Sequence, residues 1–177
     1  MIDAAAYGKA LFDLACPEGR DEIVRGQLHA AARAVTQTPG YVTLMDTPAV
    51  ATEEKLTLLR EAFGECDEYL RNFLCILCRE RSMYALGDCC EAFDTAYDEH
   101  HGILRATAAT AVAMSDAQRS ALCDRLHALT GRRIVLENRV DPALLGGVTL
   151  RYGSVEMDDS IRGRLERLRR SLQETTV

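Results

Sequence analysis

Among the side chains of this sequence that could carry out chemistry, the seven cysteines come first. Cys75 and Cys78 form a Cys-x-x-Cys pair, a spacing found in zinc sites and in redox-active thiols. A zinc site needs about four ligands, and the next cysteines, Cys89 and Cys90, lie on another predicted helix with no histidine at a suitable spacing. We therefore interpret these thiols as buried core residues and predict no metal site.

Other residue pairs could be imagined as catalytic acids, metal ligands or a phosphate loop. They are Glu53-Glu54, Asp158-Asp159, His100-His101 and Gly146-Gly147. The acidic pairs precede or open predicted helices and the histidines end one, where the helix dipole favours charges of these signs. The glycines match neither phosphate-binding glycine pattern. The sequence thus predicts no catalytic constellation and no cofactor, and we expect a non-catalytic protein.

The elements that would position a binding site fall into two parts. Residues 1–104 contain about six helical segments joined by short loops, which predicts an antiparallel helical bundle. Residues 105–177 follow the order β-α-β-β-β-α, so the predicted fold class is mainly α with a small α+β part. The first part carries 9 basic and 18 acidic residues and the second 12 and 9, although the whole chain has a net charge of −6. This asymmetry indicates two domains with different partners.

Two helices of the predicted bundle are apolar on two sides. The stripe of interest in the first helix is Tyr7, Ala10, Leu11 and Leu14. The fifth helix has a main stripe of Leu70, Phe73, Leu74 and Leu77, which Tyr69 and Ile76 extend to a neighbouring side. A bundle helix needs only one stripe for its own core. Either both helices are central, or one stripe of each lines a groove for a partner helix.

The last predicted helix, which begins after a Ser160 N-cap, packs by a leucine stripe and presents arginines on its other side. These arginines include Arg162, Arg164, Arg167 and Arg169. Guanidinium groups could bind nucleic-acid phosphate or an acidic protein surface. Because the chain is acidic overall and no aromatic residues are interleaved with these arginines, we do not expect nucleic acid as the partner.

The whole chain resembles the delta subunit family of F-type ATP synthases, which is similar to the mitochondrial oligomycin-sensitivity-conferring protein. The resemblance rests on AYGKALFDLA at the start, on TPAVATEEKLTLLREAF and RNFLCILCRER in the middle, and above all on DPALLGG, LRYG and DDSIRGRLERLRRSL near the end. Gly8 departs from the pattern, because alanine is usual there.

The resemblance implies a non-catalytic stator subunit that joins the catalytic head to the peripheral stalk. In that family the N-terminal bundle binds the N-terminal helices of the alpha subunits beside its first and fifth helices, and the C-terminal domain meets the b subunits. The positions that match the alpha-binding groove are Tyr7, Leu11, Phe73 and Ile76. Arg162, Arg164, Arg167 and Arg169 are then the candidates for contact with the stalk.

The chain lacks an apolar run of the roughly 20 residues that a membrane span needs, and its first residues do not resemble a secretory signal. We expect a peripheral protein on the cytoplasmic side of the bacterial membrane, held by its partners without direct insertion. Two other hypotheses remain open from the residues alone. One is a helical adaptor or regulator that binds acidic protein or RNA through its basic C-terminal helix, and the other is a thiol or metal enzyme that uses Cys75 and Cys78.

Overall fold

A computed structural model of the chain describes residues 2–38, 40–144, 146–153, 155–159, 161 and 163. It divides into two compact units, Met1–Tyr97 and Asp98–Val177. The sequence had led us to expect a boundary after Leu104. The elements of the first unit are the helices α1 (Ala4–Ala15), α2 (Asp21–Gln37), α3 (Tyr41–Asp46), α4 (Thr52–Ala62), α5 (Glu68–Arg79) and α6 (Leu86–His100), the last of which ends just inside the second unit. The second unit continues with β1 (Ile103–Thr110), α7 (Asp116–Thr130), β2 (Arg133–Val140), β3 (Val148–Tyr152) and β4 (Val155–Asp158).

The mainly α fold with a small α+β part is confirmed. Helix α1 begins after Asp3, whose carboxylate accepts hydrogen bonds from two amides of the first turn. A short 3-10 helix, Cys16–Glu18, follows α1 and ends at Gly19, whose φ of 66° favours glycine. The largest fully buried side chains of the bundle include Phe93, Leu28, Met45, Leu56, Leu59, Leu70, Leu74 and Leu77. These come from five different helices, so the first unit has one shared core.

The second unit is built on a four-stranded sheet in the order β2-β1-β3-β4. Strands β1 and β2 are parallel and are connected through α7, whereas β1 pairs with β3 and β3 with β4 in antiparallel fashion. Helix α7 begins with a capping box, in which Ser115 and Gln118 exchange hydrogen bonds. A small core forms around Ala106, Ala108, Leu126 and Leu150. The predicted order β-α-β-β-β is confirmed, and the predicted last helix lies outside the described residues except for positions 161 and 163.

Within the part of the chain that the structure describes, no helix combines the length and the apolar character that crossing a membrane would require.

Candidate functional site

An apolar groove of about 540 Å³ lies between α1 and α5. Its lining comes from both helices and consists of Ala6, Tyr7, Ala10, Leu11, Leu14, Tyr69, Asn72, Phe73 and Ile76. The structure therefore brings together all four residues that were predicted to line a groove: Tyr7, Leu11, Phe73 and Ile76. Most of this lining is hydrocarbon, as a docking groove for an amphipathic helix requires.

The groove has a buried base and exposed edges. Leu11 is 3% exposed and Phe73 6%, so their side chains belong at the same time to the bundle core. Leu14 is 58% exposed and Ile76 45%, so these two side chains stabilise the fold less than the buried Leu11 and Phe73 do. Apolar surface of this kind contributes favourable free energy only when another molecule removes it from water.

The two helices of the groove run antiparallel. The start of α5 lies beside the end of α1, as shown by the hydrogen bond that the Tyr69 hydroxyl donates to Glu18, the last residue of the 3-10 helix after α1. Leu14 and Tyr69 therefore mark one end of the groove, and Tyr7 and Ile76 the other. At 1.5 Å per residue, the lined part of α1 is about 12 Å long, which matches two to three turns of a bound helix.

The tyrosine at one end of the groove is held in place by charged groups. Its hydroxyl donates to a Glu18 carboxylate oxygen at 2.5 Å, and the Arg20 guanidinium lies 5.5 Å from the centre of its ring. Arg20 in turn forms ion pairs with Glu18, Asp67 and Glu68 at 3.2–3.3 Å. The hydrogen bond to Glu18 raises the pKa of Tyr69, so the phenol stays protonated and keeps donating. This network fixes the position of the ring that closes the groove.

The opposite side of α1 is packed tightly against α6. A Cβ atom at Gly8 would overlap the carbonyl oxygen of Cys89 and the Ala92 side chain. Next to this crossing, the Phe12 ring meets the Phe93 ring edge to face with 5.6 Å between centroids. The side of α1 that faces away from the groove therefore makes a close contact with α6.

Five lining residues were not among the predicted site residues. Ala10, Leu14 and Tyr69 belong to the apolar stripes, so the sequence pattern could have identified them as lining residues. No pattern marks Ala6 and Asn72, since a small residue and an amide are ordinary on a helical surface. Both lie at positions that only the relative rotation of α1 and α5 could identify.

The cysteines of the Cys-x-x-Cys pair lie in the helical core, with Cys75 9% and Cys78 2% exposed, as the sequence predicted. Burial raises the pKa of Cys78, and it raises the pKa of Cys89 to about 11 and that of Cys90 to about 12. These thiols remain protonated at neutral pH, in which form they are poor nucleophiles and poor metal ligands. Among the described residues, no cluster of three or more histidine, cysteine or acidic side chains is arranged to hold a metal ion.

The four predicted stalk-binding arginines, Arg162, Arg164, Arg167 and Arg169, lie outside the described residues, as does the predicted Ser160 cap. Their assignment stays a prediction. The hairpin that precedes them is described apart from residue 154: β3 and β4 pair with Tyr152 opposite Val155, and Gly153 has a φ of 55°, which favours glycine.

Comparison with known proteins gives a consistent result over nearly the whole chain. The family model described as "ATP synthase delta (OSCP) subunit" matches residues 4–172. Two relatives named "ATP synthase subunit delta", from Anaeromyxobacter sp. strain Fw109-5 and Desulforudis audaxviator, are each 33% identical to it; the matches cover 97% of this chain and of the first relative, and 98% of this chain and 96% of the second.

A solved structure, that of the Toxoplasma gondii mitochondrial ATP synthase hexamer, contains a chain of similar fold. The TM-score is 0.72 with 23% sequence identity, and the match covers 98% of both chains. The likeness extends across both units of the fold. On the family match and the 33% identity of these relatives, the chain belongs to the ATP synthase delta (OSCP) subunit family, whose members are peripheral stalk components.

Proposed function

We propose that this protein is the non-catalytic stator subunit that joins the catalytic head of an F-type ATP synthase to the b subunits of its peripheral stalk. The observation that carries the proposal is the apolar groove between α1 and α5, lined by Tyr7, Leu11, Phe73 and Ile76. In this proposal an N-terminal helix of an alpha subunit lies in the groove with its apolar side facing inward.

The physical demand on a stator joint is that it stays closed while rotor torque acts on it. Full burial of an exposed leucine or isoleucine contributes about 1.5–3 kcal/mol and covering a half-exposed one about half of that, whereas an exposed ion pair contributes about 0–1 kcal/mol. The groove offers Leu14 and Ile76 at its edges as such side chains. Apolar burial along α1 and α5 is therefore the term that supports a long-lived joint.

The second end of the joint is assigned to the C-terminal unit and the b subunits. Arg162, Arg164, Arg167 and Arg169 are the proposed contacts, through guanidinium pairing with acidic side chains of the stalk. Because one chain holds both partners, each contact raises the effective concentration of the other. The protein is then retained on the cytoplasmic side of the bacterial membrane by its partners, without cofactor, nucleic acid or direct membrane insertion.

A substitution at the open edge of the groove tests the first contact. Ile76→Asp places a carboxylate where the proposal buries an alkyl side chain, so affinity for the alpha N-terminal segment should fall at least tenfold, which corresponds to about 1.4 kcal/mol or more. Binding is measured by fluorescence anisotropy with a labelled peptide of that segment, and circular dichroism should remain native because residue 76 is exposed.

The matched control is Ile23→Asp on α2. Ile23 is 58% exposed and does not line the groove, so the same chemical change is made on another surface of the same unit. This variant should bind the alpha segment like the unchanged protein. Equal affinity of the Ile76→Asp variant and the control would rule out the groove as the binding site.

A further inference from the structure

The two ends of the α1–α5 groove differ in charge. At the Tyr69 end, the carboxylates of Glu18, Asp67 and Glu68 share the guanidinium of Arg20, so this cluster has three negative charges and one positive charge. The Glu68 side chain is 57% exposed and is available to a further cation. This end of the groove is therefore acidic.

The Ile76 end is less acidic. Helix α5 ends with Arg79, and Arg81 follows after Glu80; among the described residues, no carboxylate lies within ion-pair distance of either arginine. Asp3, at the start of α1, also lies toward this end. Its carboxylate already accepts two amide hydrogen bonds at the positive end of the α1 dipole, which offsets its charge.

These charges lie along the edge of the groove. Glu68, Asn72, Ile76 and Arg79 follow one another at intervals of four, four and three residues, which places them on one line of α5. Two of the four, Asn72 and Ile76, line the groove itself. A helix in the groove would therefore pass Glu68 at one end and Arg79 at the other.

The apolar lining does not distinguish between the two directions in which a helix could lie. Because α1 and α5 run antiparallel, their dipoles oppose each other beside the groove and favour neither direction. The two orientations then differ in free energy only through the charged side chains at the ends of the groove. Pairs of exposed opposite charges are individually weak, but two of them together favour one orientation by about five- to thirtyfold at low salt.

We propose that the groove sets the orientation of its helix by charge: the end of the docked amphipathic helix that carries lysine or arginine lies beside Glu68, and the end that carries acidic residues lies beside Arg79. This inference rests on the proposed function, in which a partner helix occupies the groove. It adds a sequence requirement for that partner, namely opposite charges at the two ends of its apolar stripe.

Two synthetic peptides of 18 residues test the orientation. Both carry the same leucine and isoleucine stripe, with three lysines at the N-terminal end and three glutamates at the C-terminal end of the first peptide, and the reverse in the second. Each has a nitroxide label at its lysine end. With ¹⁵N-labelled full-length protein, both labels should broaden the amide signals of residues 67–71 more than those of residues 76–81, which means that the two peptide backbones lie in opposite directions.

A charge-reversed protein provides the matched variant. Glu68→Lys combined with Arg79→Glu changes two exposed side chains, neither of which lines the groove, and Arg20 keeps its ion pairs with Glu18 and Asp67 beside Tyr69. The labels should now broaden residues 76–81 more strongly, and raising the salt concentration should reduce the preference in both proteins. The single change Glu68→Lys should weaken peptide binding by about two- to fivefold.

The outcomes separate this inference from the proposed function. If the two labels broaden opposite ends, or both ends equally, while Ile76→Asp still weakens peptide binding, charge does not orient the helix and the inference is overturned although the groove assignment stands. Binding of the alpha segment without binding of either peptide has the same consequence. If Ile76→Asp does not weaken binding of the alpha segment, the groove assignment is overturned, and the proposed orientation with it.

Discussion

The two sides of α1 meet different surroundings. Toward α6, Gly8, Phe12 and Ala15 are buried, and no atom could be added at Gly8 without a clash. Toward the groove, Leu14 is as apolar as Phe12 but more than half exposed. The closed side is explained by folding, since Gly8, Phe12 and Ala15 are buried there. The exposure of Leu14 on the open side is not explained by folding, and it supports the proposal that another molecule covers this side.

The comparison also separates stability from binding. On the closed side, a side chain contributes to the free energy of unfolding of the isolated protein. On the open side, the same kind of side chain would contribute to the free energy of association in the proposed complex. Leu11 and Phe73 are intermediate, because they form the base of the groove and are also part of the core. Substitutions at the exposed edges are therefore the informative ones for binding.

The largest expected contrast is between Phe12 and Leu14, two residues apart on α1. Phe12→Ala removes a buried ring that contacts Phe93 and Tyr97, with centroid distances of 5.6 and 6.4 Å, and should lower the free energy of unfolding by about 3–5 kcal/mol. Leu14→Ala should change it by no more than about 0.5 kcal/mol. Urea titration followed by circular dichroism measures both.

The same pair should behave differently in binding. Leu14→Ala is expected to weaken binding of the alpha segment, in spite of its native stability. Comparable losses of stability in the two variants would mean that the groove side of α1 is already covered within the protein, and the contrast between the two sides would not hold.

A smaller change in the free energy of unfolding is expected where α1 crosses α6 at Gly8. Gly8→Ala adds a methyl group that meets the backbone of α6, and overpacking of this kind costs about 1–3 kcal/mol. The control is Gly26→Ala in α2, where a Cβ would have nothing within 4 Å. That change should instead stabilise the protein by about 0.4–1 kcal/mol, because alanine is the better helix former. A stabilising effect at Gly8 would show that α1 and α6 can separate, and that the closed side is less rigid than its packing indicates.

Apolar spacing made the helices and the doubled stripes of α1 and α5 predictable, because a periodicity of three and four is a local property of the chain. The choice of Tyr7, Leu11, Phe73 and Ile76 as groove residues came from the resemblance to the family. Sequence did not reveal that the two stripes face each other, since this depends on how α1 and α5 are rotated in the bundle. It also left two interpretations of the doubled stripes, a central position or a groove, and the exposure of Leu14 and Ile76 favours the groove.

Residues whose role depends on distant backbone atoms could not be predicted. Lys55 stands near two glutamates in an ordinary helical sequence, yet it is 2% exposed and its ammonium group donates to the carbonyl oxygens of Met45 and Thr47. Gly8 likewise lies at a close helix crossing that only the position of α6 reveals. Local patterns carry no information on such contacts, because the partner lies elsewhere in the chain.

The smallest effect concerns a charged contact behind the closed side of α1. Asp94 on α6 accepts from Arg25 Nε at 2.6 Å and lies 3.0 Å from His29 Nε2, both on α2, and Arg25 also lies over the Tyr97 ring. Burial raises the pKa of Asp94, but the hydrogen bonds from Arg25 and His29 outweigh it, and the pKa is lowered below the ordinary 3.8. The ionised carboxylate thus binds α2 more strongly in the folded state than its protonated form would.

The lowered pKa of Asp94 determines whether the protein becomes more or less stable as the pH falls. The stabilisation from Asp94 is fully present above the unfolded pKa near 3.8, and it is lost as the pH falls through the lower folded value. Asp94→Asn should therefore cost about 1 kcal/mol at pH 7, and the difference from the unchanged protein should shrink toward zero as the pH falls below 3.8. Urea titrations from pH 7 to pH 2.5 measure it, and a constant difference would exclude the ion pair as its cause. At pH 7 the variant should bind the alpha segment with unchanged affinity, because the contact lies on the side of α1 that the partner helix does not touch.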